Sequence, residues 1–243
     1  MRVSSERINE LKNIAIVLAG GSGRRLGGKQ PKQYMELCGK PLIYYCLKTF
    51  EESFIDEVVL VCREGDEEYC RKEIVDKFDL RKVTDIVPGG RERYDSVYNG
   101  LKACRDCKNV FIHDGARPFV TRYVLERCLH YVEKYSAAAA AVKAKDTIKL
   151  ENGDGFIDQT PDRDLVWLIQ TPQVFKFDMI LKCYEKLKRE EKRLAAANVS
   201  VTDDTMVAKM FADVDARLVE SDYKNIKITT ADDLIIAEAF LRE

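Results

Sequence analysis

Ile14-Ala15-Ile16-Val17-Leu18-Ala19, followed by Gly20-Gly21-Ser22-Gly23-Arg24-Arg25-Leu26-Gly27-Gly28-Lys29-Gln30-Pro31-Lys32, decides the fold of this chain. Six consecutive apolar residues bounded by glycines suit a strand buried on both faces of a parallel sheet. A glycine-rich turn after such a strand brings backbone N–H groups close to a ligand, and those groups favour anions, phosphates above all. Two common phosphate loops do not fit. The dinucleotide fingerprint needs a third glycine where Leu26 stands, counting from Gly21. The P-loop needs Ser or Thr after Gly-Lys, and Gln30 follows Lys29. What remains is Gly-x-Gly-x-Arg and then Pro-Lys. Arg25 and Lys32 can converge on a polyphosphate, one as a planar fork and the other as a point charge. The arginines alone would read as a solvated basic loop; the strand before them and the Pro-Lys after them favour a ligand.

Outward from this loop the chain alternates. Pro41 opens a helix where a missing N–H costs nothing. Glu57-Val58-Val59-Leu60-Val61-Cys62 reads as a strand, 66–77 as a helix, and Val83 to Val87 as a third strand ended by Pro88-Gly89-Gly90. Tyr94, Val97, Tyr98, Leu101 and Cys104 share one helical face between Arg91 and Arg105. Val110-Phe111-Ile112 is a strand that ends at His113-Asp114, and 121–135 is a helix. Ala137 to Val142 fits helix or strand; its place after a helix favours strand. This rhythm predicts a Rossmann-like α/β domain, a mostly parallel sheet flanked by helices on both faces. It breaks between Lys145 and Ile169, where Asn152-Gly153-Asp154-Gly155 separates two short extended pieces. A projecting β-hairpin arm at about 145–169 is expected there. Thr230 and Asp233 form an Asp variant of the capping box for a last helix. Residues 1–13 read as a polar N-terminal extension and 14–243 as a single domain.

Composition narrows the function. Forty basic residues meet forty-one acidic ones in a chain of 243, so no basic excess points to nucleic acid. No apolar run spans a bilayer, and the start lacks a signal-peptide core. Neither a nucleic-acid nor a membrane partner is expected. Eight cysteines without framework spacing, Cys104-x-x-Cys107 included, imply reduced thiols and a cytoplasmic location.

Seven motifs occur in order: Gly21-Ser22-Gly23-Arg24-Arg25-Leu26 with Pro31-Lys32-Gln33-Tyr34; Gly89-Gly90 with Arg93-Tyr94-Asp95-Ser96-Val97; His113-Asp114-Gly115-Ala116-Arg117-Pro118; Asp146-Thr147-Ile148-Lys149; Gln170-Thr171-Pro172-Gln173; Thr202-Asp203-Asp204; and Asn225-Ile226-Lys227-Ile228-Thr229. Together they resemble the 2-C-methyl-D-erythritol 4-phosphate cytidylyltransferase family of the non-mevalonate isoprenoid route, from about Ile14 to Leu241. The resemblance implies transfer of a cytidylyl group from CTP to methylerythritol phosphate, with release of pyrophosphate. It implies Arg25, Lys32 and Lys227 as catalytic cations. Nucleotide contacts are implied at Ala19, Gly20, Gly21, Gly23, Gly90 and Ser96. Substrate contacts are implied at Asp114, Arg117, Thr147, Arg163 and Thr202. The arm carrying Thr147 and Arg163 crosses, in this family, into the neighbouring subunit, so a homodimer with arm exchange is expected. Magnesium, or another divalent cation, is expected with the triphosphate, with Asp114 as the one candidate protein ligand. A phosphomonoester is largely ionised at neutral pH, its second pKa being about 6, so His113 is expected to be packed and hydrogen-bonded rather than a base. Arg91 stands where many relatives carry an acidic residue, which leaves the ribose to backbone contacts.

Three other readings compete. Ribitol 5-phosphate cytidylyltransferases share the loop, but tend to carry serine and valine where Gly115-Ala116 stand and to lack Arg93-x-Asp95-Ser96. A sugar 1-phosphate nucleotidyltransferase leaves the Asp146-Thr147 arm unexplained. An inactive regulatory protein on this fold should have lost Arg25, Lys32 or Lys227, and all three are present.

Overall fold

Alternation along the first strand lets one short run serve two cores. In β1 (Lys12–Leu18), Ile14 and Ile16 join one apolar cluster and Ala15 and Val17 the other, all four fully buried. The computed structural model describes residues 11–21 and 31–242; residues 1–10 of the extension, Gly23 and Arg25 lie outside them. β1 begins two residues ahead of the boundary read at Ile14. Lys12 is paired there with Glu57, and Asn13 Oδ1 accepts from Asn109 Nδ2 at 2.8 Å.

From β1 the chain runs through a small antiparallel pair, β2 (Glu36–Leu37) and β3 (Lys40–Pro41), into α1 (Leu42–Glu51) and β4 (Glu57–Cys62). Next come α2 (Glu67–Tyr69), continued by a π-helix over Cys70–Asp76, then β5 (Val83–Pro88), α3 (Arg93–Ala103), β6 (Cys107–Asp114), α4 (Arg122–Tyr135) and β7 (Ala137–Lys143). The arm holds β8 (Leu150–Glu151) and β9 (Ile157–Gln159). β10 (Trp167–Lys176), α5 (Phe177–Ala196), α6 (Asp204–Ala212), β11 (Arg217–Glu220) and α7 (Ala231–Arg242) complete the domain.

Among the described residues the central sheet has seven strands in the order β11-β7-β10-β6-β1-β4-β5. β10 runs antiparallel to both its neighbours, and the other pairings are parallel. One face carries α1, the π-helix and α4; the other carries α3, α5 and α6. Gly100 lets α3 press onto β1, because a Cβ there would stand 2.6 Å from Ile16 Cγ2. The expected Rossmann-like α/β sheet is therefore present.

Ala137–Ala141 settles as strand although alanine favours helix. α4 is stopped at Ser136, which takes the left-handed conformation (φ 66). The chain then enters the slot between β10 and β11, where methyl side chains fit under the covering helices. The arm is a hairpin, with Leu150 paired to Gln159 and Glu151 paired to Ile157. It ends earlier than 169: Trp167, Leu168 and Ile169 already pair with Lys143, Val142 and Ala141. The last helix starts where the capping pattern places it. Thr230 N–H donates to Asp233 Oδ2 at 2.8 Å, and Asp233 N–H donates back to Thr230 Oγ1 at 3.4 Å.

Candidate active site

The strand register brings several chain ends to one edge. Leu18 pairs with Val61 and Asp114, and Cys62 with Pro88. Gly20, Gly21, Gly89, Gly90 and Asp114 thus leave the sheet together at its carboxyl edge, where α/β ligand sites form. A cleft of about 590 Å³ opens there. Its walls include Gly20, Gly21, Lys32, Gln33, Gly90, Arg93, Ser96, Asp114, Lys227 and Thr229.

One wall is the Gly89-Gly90 turn. Gly89 N–H donates to Cys62 O at 2.7 Å, and Gly90 N–H to Ser96 Oγ at 3.0 Å. Ser96 Oγ donates in turn to Glu92 O at 3.3 Å, so the hydroxyl also fastens the loop it lines. Glu92 and Asp95 cap α3 reciprocally without any Ser or Thr. The turn is so tight that a Cβ on Gly90 would lie 2.2 Å from Asp95 Cβ. Arg91 also borders the cleft, its side chain 92% exposed. Ala19 does not line the cleft; it is fully buried, its N–H bonded to Val61 O at 2.7 Å.

The opposite wall carries the two lysines. Lys32 follows Pro31 in a 3-10 turn over Lys32–Tyr34, and its Nζ donates to Ile228 O at 2.7 Å. Lys227 does not sit on a strand, contrary to the strand-like reading of Ile226-Lys227-Ile228. Its segment is pinned individually. Ile228 N–H donates to Ala116 O at 2.8 Å, and buried Asn225 Nδ2 donates to Gln170 Oε1 at 2.9 Å and Thr171 O at 3.0 Å. Arg117 belongs to this scaffold, since its guanidinium donates to Asn225 O at 2.8 Å.

Asp114 lies between the walls. Its Oδ2 meets Lys227 Nζ at 2.7 Å and its Oδ1 meets Arg93 Nε at 3.4 Å. Burial opposes its ionisation, yet Arg93, Lys227 and Arg117 hold its carboxyl well below the usual carboxylate range. It is a salt-bridged anion, not a turn cap. Among the described residues no three His, Cys, Asp or Glu side chains converge on a metal position. The Asp114 carboxylate already faces Lys227 and Arg93, so the described side chains form no metal cage of their own.

His113 is packed and hydrogen-bonded, in line with the sequence-based expectation. The Arg117 carbonyl, 3.0 Å from Nε2, can only accept, so Nε2 carries the proton and Nδ1 accepts from Thr171 Oγ1 at 3.1 Å. Thr171 Oγ1 in turn accepts Asp114 N–H at 3.0 Å. Burial pushes the imidazole down to about 4.

Three expected substrate residues stand outside the cleft. Thr147 and Arg163 are exposed on the arm, outside the cleft walls. Thr202 is exposed too, and the cap of α6 is Asp203, whose Oδ1 accepts Met206 N–H at 2.9 Å. Conversely, sequence reasoning gives no role to Arg93 or Asp204. Arg93 opens α3, Asp204 opens α6, and the two form a bidentate pair at 2.7 and 2.8 Å. The available signal is the second aspartate of Asp203-Asp204, since one aspartate suffices for a cap.

Comparison with known proteins agrees with this geometry. The family model described as 2-C-methyl-D-erythritol 4-phosphate cytidylyltransferase matches residues 13–243. The Clostridium botulinum (strain 657) protein of that name is 46% identical over 234 residues, covering 96% of this chain and 98% of its own. The Clostridium perfringens (strain SM101) protein of that name is 45% identical over 232 residues, covering 95% and 99%. Among solved structures, the 4-diphosphocytidyl-2C-methyl-D-erythritol synthase of Anaerococcus prevotii superposes with a TM-score of 0.82 at 35% identity, covering 96% of this chain and 99% of its own. By motif order, cleft and full-length similarity, this chain belongs to the 2-C-methyl-D-erythritol 4-phosphate cytidylyltransferase family.

Proposed function

We propose that this protein transfers the cytidylyl group of CTP to 2-C-methyl-D-erythritol 4-phosphate, giving 4-diphosphocytidyl-2-C-methyl-D-erythritol and pyrophosphate. The observation that carries the reading is the cleft in which Lys32, tied to Ile228 O, and Lys227, tied to Asp114, face the glycine turns. CTP would lie with its base and ribose on the Gly90 turn and its triphosphate on Gly20 and Gly21. Arg25 and Gly23 would complete that cradle. A phosphate oxygen of the acceptor attacks the α-phosphorus in line; the new P–O bond forms as the bond to the β-phosphate oxygen breaks, and pyrophosphate leaves. Negative charge accumulates on the transferring group, so preorganised cations do the catalysis. Lys32 and Lys227 hold that charge, and no proton needs to be removed from the ionised nucleophile.

Magnesium would enter on the triphosphate oxygens, which is its usual manner of binding in such sites, and would lower the charge repelling the nucleophile. A homodimer accounts for the arm. Phe156, Ile157 and Leu165 are 71%, 67% and 78% exposed in one protomer, more apolar surface than a free hairpin needs, and a second copy would cover it. Thr147 and Arg163 would then reach the acceptor phosphate in the partner's cleft, with Thr202 beside them. The reaction fits a cytoplasmic location, and no helix among the described residues is long and apolar enough to cross a membrane. Pyrophosphate release should be measured with CTP and, separately, methylerythritol phosphate, ribitol 5-phosphate and a sugar 1-phosphate. Release with methylerythritol phosphate is expected; release only with another acceptor refutes the proposal.

A further inference from the structure

We infer that Arg93, fixed by Asp204, is a positioning residue that keeps one oxygen of Asp114 open to Lys227. The kinetic part of the inference rests on the cytidylyl-transfer reading; the geometric part does not. Asp204 is fully buried and does not line the cleft. It is held from three sides. Its backbone N–H, with that of Thr205, donates to Gln173 Oε1 at 2.9 and 3.0 Å. Tyr184 donates its hydroxyl to Oδ1. The Arg93 fork takes both carboxylate oxygens. Burial and the Asp204 charge raise the Tyr184 phenol well above its ordinary value, so it remains a donor.

A bidentate fork fixes the plane of a guanidinium. With one N–H of each terminal nitrogen committed to Asp204, the guanidinium is turned so that Nε is the donor facing Asp114, 3.4 Å from Oδ1. Oδ2 is left to Lys227. The result is an alternating file of charges, Asp204, Arg93, Asp114, Lys227, that runs from a buried helix start to the cleft. Buried ion pairs of this kind are poor sources of stability, because desolvation offsets most of the attraction. Their value here is orientational. Without the Asp204 charge, the fork turns to the nearest remaining carboxylate, Asp114, takes both oxygens, and releases the Lys227 ammonium from its place.

Two substitutions test this: Asp204→Asn, which keeps the shape and removes the charge, and Arg93→Lys, which keeps the charge and removes the fork. Three readouts apply to each folded protein. They are kcat and KM for both substrates, the rate of reductive methylation of Lys227 read by mass spectrometry, and circular dichroism. In Asp204→Asn, Lys227 should label at least about threefold faster and kcat should fall about tenfold or more, with KM for CTP within about threefold; the corresponding cost is about 1.4 kcal/mol per tenfold. The double variant should be no slower than the slower single one, because the residues act in series. Unchanged Lys227 labelling in a folded Asp204→Asn protein overturns the inference, and so does labelling raised as much when Arg93→Lys is added, which leaves no fork to take both Asp114 oxygens. So does a loss confined to thermal stability with kcat within about twofold of the parent. If Asp204→Asn does not fold, Asp204→Ser, which also removes the charge, decides by the same measures. If the parent fails to turn over CTP with methylerythritol phosphate, the proposed function falls, and the labelling still decides the positioning.

Discussion

Acidification should weaken this fold through His113 before it reaches the carboxylates. The imidazole is fully buried, and its pKa is pushed down to about 4 by that burial, against about 6.5 in an unfolded chain. Above pH of about 6.5 both states hold a neutral ring and the site contributes its full stability. Between those two values the unfolded chain takes up a proton that the folded state refuses. Stability therefore falls by about 1.4 kcal/mol per pH unit and by about 3 kcal/mol across the window, a large share of the roughly 5–15 kcal/mol a domain has to lose. Glu133 acts lower: burial opposes its charge, but hydrogen bonds from Lys176, Asn109 and Lys108 hold it at about 2. Its contribution is intact above its unfolded value of about 4.3 and disappears below it. The check is urea denaturation at half-unit steps from about pH 7.5 to about 4.5, for the parent and for His113→Gln, which brackets most of the window. Glutamine can accept from Thr171 and donate to the Arg117 carbonyl without titrating. The parent should show the slope and the variant should be nearly flat. Equal slopes in both proteins would refute the reasoning.

Lys32→Ala should abolish turnover while the far-ultraviolet dichroism stays that of the parent; near-normal turnover would remove Lys32 from the site. Arg163→Ala should raise KM for methylerythritol phosphate well above any change for CTP. If sites are shared, an equal mixture of refolded Lys32→Ala and Arg163→Ala protomers should recover about a quarter of parent activity, since half the dimers are mixed and each has one intact site; no recovery argues against arm exchange. Gly90→Ala should weaken CTP binding by roughly 1–3 kcal/mol in calorimetry, the cost of an overpacked turn and a lost hydrogen bond to Ser96. Unaltered CTP affinity would show that the turn does not hold the nucleotide.

The elements nearest the first loop are legible because burial on both faces leaves a continuous apolar run, which few other structures produce. Glu57–Cys62 is legible to the residue for the same reason. Ala137–Ala141 is ambiguous by local preference, because its strand state is imposed by β10 and β11 rather than by its own side chains. The segment around Lys227 looks like a strand in sequence since apolar residues flank the lysine on both sides. Those residues instead face a small core with Leu37, Leu42 and Ala237. The lysines and Asp114 can be placed from motif order. Their partners cannot, because Arg93 and Asp204 are 111 positions apart and nothing local in either motif names the other. Ser96 and Thr202 show the complementary limit: a hydroxyl in a motif does not say whether it meets backbone, solvent or ligand.

The reversed direction of β10 sets how freely the arm can vary. β7 ends at Lys143 and β10 starts beside it at Trp167, so the sheet there is one very long hairpin. Its loop leaves and re-enters at adjacent ladder positions on the cleft edge. Lengthening, trimming or exchanging the insertion therefore changes no strand register and moves none of the residues that hold the glycine turns. Closure entropy grows only slowly with loop length, about 0.6 kcal/mol per doubling, so such changes cost little. On the proposed function, the chain would thus be divided into a fixed nucleotide-handling frame and a detachable acceptor-reading cassette. A graft of residues 144–166 from a relative with another acceptor is the natural way to reprogram it.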